Sequence, residues 1–177
     1  MASKKREVWE WAFETSGQNP LAWRASAQDL LAGANAIKEK VRDFGPMMDS
    51  LAVVEAMLLG FGLECLLKAM WIKGNNSLTE SGRLRGIPRV GDHELLKIAR
   101  AVRYRLSHEE AAVLNKLTAF VKFAGRYPIA TRAEQMKPTR RLGTSVLEHP
   151  RFIGRSDLEI GRRLAHRLMN DAQPWVK

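Results

Sequence analysis

The chain has 177 residues, of which 45% are hydrophobic and 27% are charged, and these values are ordinary for a folded globular protein. At this length folding buries roughly 70% of the unfolded surface, so neither disulfides nor a metal is needed to hold the core. A disordered chain and a disulfide-stapled chain are therefore excluded. The 29 Lys and Arg residues against 19 Asp and Glu residues leave a net charge of +10, which points to polyanions or acidic membranes as partners.

The single cysteine, Cys65, lies in an apolar run, which predicts a packed, unreactive thiol and a reducing, cytoplasmic location. The longest apolar run covers residues 51–72 and is long enough to span a bilayer. It carries Glu55, Glu64 and Lys68, each of which costs about 2.5–3.5 kcal/mol at a bilayer centre. We therefore interpret the run as a buried core helix and expect no membrane partner.

Residues 1–18 form a basic N-terminal lead. Its three aromatic side chains, Trp9, Trp11 and Phe13, are expected to pack back onto the body of the protein. Asn19 and Pro20 then provide a helix cap and a first helical residue. The spacing of apolar residues predicts a helix from there to Phe44, where Gly45 and Pro46 end it; the apolar stripe consists of Trp23, Ala27, Leu30, Ala34, Ile37, Val41 and Phe44.

The next helix is expected to begin at Asp49 or Ser50 and to end at Lys73. It is apolar on most sides, which is typical of the central helix of a bundle. Gly60 and Gly62 lie inside it, although each costs up to about 1 kcal/mol against alanine. Their presence predicts a close approach of neighbouring helices at this point.

Residues 74–91 are interpreted as a loop, followed by a short helix that Asp92 caps. Ser107 and Glu110 have the spacing of a capping box, so a further helix begins there and is expected to end at Gly125. No stretch alternates apolar and polar residues long enough to predict a strand.

Residues 128–155 contain three prolines and six arginine or lysine residues against two glutamates. A last helix is expected from a second capping box, Ser156 with Glu159, to about Asp171. The predicted fold is all-α, an up-and-down antiparallel bundle of four core helices plus a C-terminal helix. Its parts are the lead at 1–18, the bundle at 19–128 and an arginine-rich extension with the final helix at 129–177.

Several residues are candidates for chemistry. Arg103 and His108 are separated by four residues, and an arginine that holds a phosphate beside a proton-moving histidine is the arrangement of a metal-independent RNase. Four histidines with one cysteine show no zinc-ligand spacing, and the acidic residues are too scattered for a two-metal site. We expect neither a metal nor a cofactor.

Glu64 and Lys68 stand four residues apart, as in a helical ion pair, and are either structural or frame a binding cleft. His93 either donates to a neighbouring helix or fills its turn. Arg126, at the end of a predicted helix, either satisfies free helix carbonyls or faces a phosphate, in which case Tyr127 offers a stacking surface.

Three ordered segments together resemble the HEPN domain, a helical family first described in nucleotide-binding proteins of higher eukaryotes and prokaryotes. Glu64 to Ala69 resembles its Glu-x-x-x-Lys-Ala core. His93 to Leu95 resembles its His-x-Leu helix start, and Gly125 to Pro128 resembles the Arg-Tyr-Pro after its last core helix. The resemblance covers about residues 20–130.

The resemblance implies an up-and-down helical bundle, commonly a homodimer with a basic cleft near the dimer axis. Many members are RNases with a late Arg-x4–6-His motif, often toxins partnered by a nucleotidyltransferase antitoxin. In this chain the corresponding place holds Arg126, Tyr127 and Pro128, and the next histidine is His149.

The leading interpretation is a cytoplasmic, dimeric protein that binds RNA or nucleotides through a basic cleft, within a toxin–antitoxin or defence system. Glu64, Lys68 and His93 would frame the cleft, with Tyr127 as a stacking face. The residues expected to contact phosphates are Lys97, Arg100, Arg103, Arg126, Arg132, Arg140 and Arg141. Two alternatives are an RNase that uses Arg103 or Arg126 with His108 or His93, and a protein–protein module that partners a nucleotidyltransferase.

Overall fold

The computed structural model describes residues 8–44, 49–127, 132–140, 145, 147–150 and 152–172. These ranges are mostly helical, which confirms the all-α fold class. The helices are α1 (Val8–Gly17), α2 (Pro20–Phe44), α3 (Asp49–Lys73), α4 (Leu95–Ala101), α5 (His108–Ala119) and α6 (Arg155–Asp171). A π-helical turn (Phe120–Ala124) continues α5, and a 3-10 turn covers Ala133–Met136.

Helix α3 is the centre of the fold, since it packs against α2, α4, α5, α6 and the π-helical turn. This confirms the expectation drawn from its apolar composition. The up-and-down order of the core helices stays a prediction. The largest fully buried side chains are Phe120, Leu59, Leu63, Leu66, Leu67, Leu78, Leu95, Leu114, Leu117, Leu164, Leu168 and Val113. Across the described ranges, each helix is too short or too polar to cross a bilayer.

Gly60 and Gly62 bring two different neighbours close to α3, which confirms the predicted close approach. A methyl group at Gly60 would overlap Cγ2 of Val121, on the π-helical turn. At Gly62 it would lie 2.9 Å from Cδ2 of Leu31, on α2. The two glycines therefore let α3 pack tightly on both sides.

The predicted start of α4 is wrong. His93 has a φ of +63°, in the left-handed region, so a helix cannot begin at Asp92 and pass through it. The helix begins at Leu95 instead, and its first backbone N–H donates to Oγ1 of Thr118 on α5 at 3.2 Å. A hydroxyl of a neighbouring helix thus accepts from the helix start, where no local side chain acts as a cap.

The predicted capping box of α5 is confirmed. The backbone N–H of Glu110 donates to Oγ of Ser107 at 3.1 Å, and the backbone N–H of Ser107 donates to the Glu110 carboxylate at 2.8 Å. The helix then widens into the π-helical turn before Gly125, which lies against the side chain of Met57 on α3.

The predicted start of α6 is wrong by two residues. The backbone N–H of Gly154 donates to the carboxylate of Asp157 at 3.0 Å, and the helix begins at Arg155. Asp157 is buried and also binds Nζ of Lys116 at 2.7 Å. This ion pair favours Asp157 as the capping carboxylate, whereas Glu159 binds Lys38 and Arg162.

The structure adds elements that the sequence did not predict. Residues 8–17 form α1, and its aromatic side chains are exposed, so the expectation that they pack back onto the body is wrong. The loop after α3 contains a hairpin of β1 (Thr79–Glu80) and β2 (Arg83–Leu84). A second hairpin pairs β3 (Thr139–Arg140) with β4 (Leu147–Glu148).

Candidate nucleic-acid interface

A buried carboxylate, Glu64, joins α3 to the turn before α4. Its Oε1 lies 2.7 Å from Nζ of Lys68, and its Oε2 lies 2.7 Å from Nδ1 of His93. The Glu64 and Lys68 side chains are 4% and 13% exposed, whereas that of His93 is 35% exposed. The predicted ion pair and the predicted contact of His93 with a neighbouring helix are both confirmed.

Aromatic rings enclose this cluster. Nζ of Lys68 lies 5.2 Å from the ring centroid of Trp23 on α2, within cation–π range. The rings of Phe61 and His93 meet edge to face at 5.6 Å. A cavity of only about 10 Å³ lies between Lys68 and His93, which is at most enough for one water molecule. The cluster is therefore packed, and a ligand would reach it only at the exposed edge of His93.

The contact with Glu64 determines the proton position on His93. An ionised carboxylate accepts hydrogen bonds and does not donate them, so Nδ1 must carry a proton. Nε2 of the neutral ring is then an acceptor. A carboxylate that orients an imidazole through Nδ1 leaves the other nitrogen to accept or pass a proton.

A second group of charges begins at the next residue, Glu94. Its carboxylate binds Nζ of Lys122 on the π-helical turn and lies 3.8 Å from Nζ of Lys97 on α4. The guanidinium of Arg126 donates to the backbone carbonyl of Lys122 at 2.8 Å. Glu94, the residue after His93, therefore joins Lys97 on α4 to Lys122 on the π-helical turn, and Arg126 lies one helical turn beyond Lys122.

The contact of Arg126 with a helix carbonyl confirms one of the two predicted roles for this residue. The same guanidinium lies 5.5 Å from the ring centroid of Tyr127, and both side chains are exposed. The pair thus presents a charged plane and an aromatic ring to solvent at the end of the helix.

Lys122 also lines a cavity of about 260 Å³ that lies between α5 with its π-helical turn and a set of later residues, namely Gln135, Thr139, Arg140, His149 and Pro150. We call this cavity and the adjoining Lys97, Lys122 and Arg126 the basic cleft. The cavity is lined by Ala112, Asn115, Lys116, Thr118, Ala119, Lys122, Phe123, Gln135, Thr139, Arg140, His149 and Pro150. Its lining thus joins apolar side chains with three cations and several hydroxyl and amide groups.

Lys116 is the most buried cation of the basic cleft. Its side chain is 10% exposed, and its Nζ binds Asp157 and lies 5.6 Å from the ring centroid of Phe152. Arg140 lies on β3 and is exposed. A ligand in the cavity would therefore meet the ammonium groups of Lys116 and Lys122, each held by a carboxylate, and one guanidinium that is open to solvent.

The remaining predicted residues lie outside this cavity. Arg103 has a φ of +54° and follows α4, while His108 is the first residue of α5, so the turn between the two helices separates them. Both side chains are exposed, as are the other predicted phosphate contacts Lys97, Arg100 and Arg132. Arg141 lies outside the described residues.

The titratable residues Lys116, Lys122 and His149 of the basic cleft, and Glu94 beside it, were not predicted as site residues. Lys122 precedes Arg126 by four residues, a spacing that places side chains on one helix face and was available in the sequence. The contacts of Glu94 and Lys116 with residues far along the chain have no such local signal. Within the described ranges, His, Cys, Asp and Glu side chains form no cluster of three that could hold a metal ion.

The candidate site therefore has two parts, the buried Glu64 cluster and the basic cleft. Comparisons with protein-family models, curated proteins and solved structures find no match to this chain.

Proposed function

We propose that the chain binds RNA or nucleotides at the basic cleft. The observation that carries this proposal is the cavity of about 260 Å³ whose lining combines Lys116, Lys122 and Arg140 with hydroxyl and amide side chains. Such groups bind phosphate and sugar oxygens. The three motifs that resemble the HEPN domain favour the same ligand class. The proposal includes a cytoplasmic homodimer that associates with no membrane.

The charge of the basic cleft supports an anionic ligand. Five cationic side chains face two carboxylates, which leaves a net charge of +3; the cations are Lys97, Lys116, Lys122, Arg126 and Arg140, and the carboxylates are Glu94 and Asp157. The excess positive charge favours phosphates, and their binding releases counterions. Affinity should therefore fall steeply as salt is added.

The size of the cavity suits one nucleotide, either free or within a strand. Pockets that enclose whole ligands measure about 300–1,000 Å³, and this cavity is smaller. Pro150 gives the cavity an apolar surface for one base, while neighbouring nucleotides would lie over Arg126 and Tyr127. An exposed aromatic ring beside a guanidinium suits stacking of unpaired bases.

Fluorescence anisotropy with a labelled single-stranded RNA tests this proposal. We expect the Lys97→Ala, Arg140→Ala double variant to bind more weakly at low salt. The slope of log affinity against log salt should fall by roughly 0.7 for each phosphate that the variant no longer neutralises. Affinity that does not change with salt would overturn the proposal.

Arg83→Ala is the matched control. Arg83 is an exposed arginine on β2, which follows the end of α3 at Lys73, whereas Val121 of the π-helical turn lies against Gly60 of α3. Lys73 and Gly60 are roughly 20 Å apart along the helix axis. Equal losses of affinity in the control and in the double variant would show that binding is not located at the basic cleft.

Metal-independent RNA cleavage is the second candidate, favoured by the position of His93. Glu64 fixes Nδ1 of its imidazole, and the next residue, Glu94, binds Lys122, whose carbonyl accepts from Arg126. These contacts link, through the backbone, a histidine that can accept a proton to a guanidinium that can hold a phosphate, which are the two groups that this reaction needs.

Incubation of labelled RNA in EDTA separates cleavage from binding. Cleavage that His93→Ala and Arg126→Ala abolish would assign the reaction to these two residues. Cleavage that only Arg103→Ala and His108→Ala abolish would assign it to the turn between α4 and α5. A salt-sensitive shift on a native gel without cleavage would leave a binding protein.

A further inference from the structure

Phe152 is an exposed aromatic residue beside a lysine of the basic cleft. It is 57% exposed, and its ring centroid lies 5.6 Å from Nζ of Lys116, which lines the cavity. The ring is therefore within cation–π range of a cleft ammonium group while much of it faces solvent. An aromatic ring is stabilised when it leaves water, so a ligand that covers Phe152 would gain affinity from it.

A tight turn holds the ring at this position. The backbone N–H of Phe152 donates to the carbonyl of His149 at 2.8 Å, and Pro150 occupies the second position of the turn, which its fixed φ suits. His149 and Pro150 themselves line the cavity. On the other side, Ile153 packs against the hydrophobic core. The backbone of Phe152 is thus held between a cavity wall and a core residue, so that binding need not order it.

A second exposed apolar side chain borders the cavity beside another cation. Leu147 on β4 is 66% exposed and lies directly opposite Arg140 on β3. Directly opposite side chains of an antiparallel pair lie on the same face of the sheet, and Arg140 lines the cavity. Exposed apolar side chains and cations therefore occur in pairs around the cavity, Phe152 with Lys116 and Leu147 with Arg140.

This combination indicates which kind of anion fits the basic cleft. A polyanion without bases would contact the cations but could not stack on the Phe152 ring. A duplex presents its phosphates outwards, but its bases are stacked inside it and do not reach an aromatic side chain. An unpaired nucleotide offers both a phosphate for the cations and a flat base for the ring. Proteins that bind single strands combine the same two features, a cationic groove and aromatic rings on which bases stack.

We propose that Phe152 stacks on an unpaired base of a strand held in the basic cleft, and that this contact favours single-stranded over double-stranded RNA. The inference names the substrate class of the basic cleft and rests on the proposed function. The base on Phe152 would neighbour the one that lies against Pro150, while Lys116, Lys122 and Arg140 hold phosphates. Because every base has a flat face, Phe152 selects for an unpaired strand and not for a sequence.

Fluorescence anisotropy with two labelled probes tests the contact. The probes are a short single-stranded RNA and the same RNA annealed to its complement. In Phe152→Ala we expect the affinity for the single strand to fall at least about fivefold, which is the lower end of the effect of removing one stacking ring. The affinity for the duplex should stay the same. Phe13→Ala is the matched control, because Phe13 is also exposed but lies on α1, which packs on α2 and β1; it should leave both affinities unchanged.

Further variants separate stacking from a structural role of Phe152. Phe152→Tyr and Phe152→Trp keep a flat ring and should bind the single strand as the wild type does. Phe152→Leu keeps an apolar side chain without a ring and should bind it as weakly as Phe152→Ala. Wild-type affinity in Phe152→Leu would overturn the stacking contact. Circular dichroism of each variant confirms that the helices are intact.

The same measurements distinguish failure of this inference from failure of the proposed function. Salt-dependent binding of the single strand that is unchanged in Phe152→Ala overturns the stacking contact alone. Equal losses for the single strand and the duplex in this variant overturn the selection of unpaired strands, since they assign the ring a structural role in the cleft. A wild type that binds neither probe overturns the proposed function, and this inference with it.

Discussion

Nδ1 of His93 lies 2.7 Å from Oε2 of Glu64, across 29 residues of sequence. The other oxygen of the same carboxylate binds Lys68. One buried carboxylate therefore holds an ammonium group of its own helix and the imidazole that precedes α4. The position of the chain at the start of α4 depends on this contact, since His93 has a left-handed backbone that few residues other than glycine adopt.

Glu64→Ala should destabilise the protein by about 3–5 kcal/mol, because it leaves the ammonium group of Lys68 buried without its carboxylate. Urea unfolding followed by circular dichroism measures this loss. The control is Glu80→Ala, which removes an exposed carboxylate 3.3 Å from Arg85 and should cost about 0–1 kcal/mol. Similar losses in both variants would contradict a buried charge cluster at Glu64.

Gly60→Ala should destabilise the protein by about 1–3 kcal/mol even though alanine favours a helix. The added methyl group meets Cγ2 of Val121, a β-branched side chain with little rotamer freedom. Gly62→Ala should cost less, because its neighbour is the longer and half-buried side chain of Leu31. Thermal unfolding of both variants measures which of them is less stable. A Gly60→Ala variant that is at least as stable as Gly62→Ala would contradict the prediction and show that the π-helical turn moves to make room for the methyl group.

Cys65 should react slowly with thiol reagents in the folded protein. Burial, and next the charge of Glu64, raise the pKa of the Cys65 thiol to about 11 from an ordinary value of 9.0. At pH 8 this shift leaves about 100-fold less of the reactive thiolate. Rates with an aromatic disulfide reagent, measured in buffer and in denaturant, should differ by at least this factor, and equal rates would show that the thiol is accessible.

Tyr104 should make the protein sensitive to alkaline pH. Burial, and next its hydrogen bond to Asp171 at 2.6 Å, raise the pKa of the Tyr104 phenol to about 12 from 10.0. The folded state thus favours the protonated phenol, so this contribution to stability is full below pH 10 and is lost as the pH rises from 10 to 12. Tyr104→Phe should lose less stability over this interval than the wild type.

The Tyr127→Phe variant provides the matched measurement, because the chain has two tyrosines. Phenolate absorbance in this variant reports Tyr104 alone, and its midpoint should lie near pH 12. A midpoint near pH 10 would contradict the contact with Asp171.

Local signals predicted much of the fold. The bounds of α2 and α3 and the Ser107 capping box follow from caps, glycines and apolar spacing within a few residues. The start of α6 does not follow from local signals, because two possible capping pairs, Gly154 with Asp157 and Ser156 with Glu159, lie two residues apart there. The buried contact of Asp157 with Lys116, 41 residues earlier, favours one of them.

The sequence predicted the contacts of the candidate site that lie within one helix, but not those between elements far apart in the chain. Glu64 and Lys68 lie on one helix, so their spacing was enough to predict their ion pair. The contact of Glu94 with Lys122 and the left-handed backbone of His93 depend on how α3, α4 and α5 pack. The orientation of α1 likewise depends on Glu14 reaching a hairpin 65 residues away.

The π-helical turn has a consequence for comparing this chain with any shorter relative. The backbone N–H of Gly125 donates to the carbonyl of Phe120, five residues back, so one extra residue is accommodated within the turn. Leu117 before it and Gly125 after it both stay against α3. A homologue with a one-residue deletion here would return to α-helical geometry and keep both contacts. If the two sequences are aligned with one gap between Phe120 and Ala124, we therefore expect the backbones of the two proteins to agree on both sides of the gap.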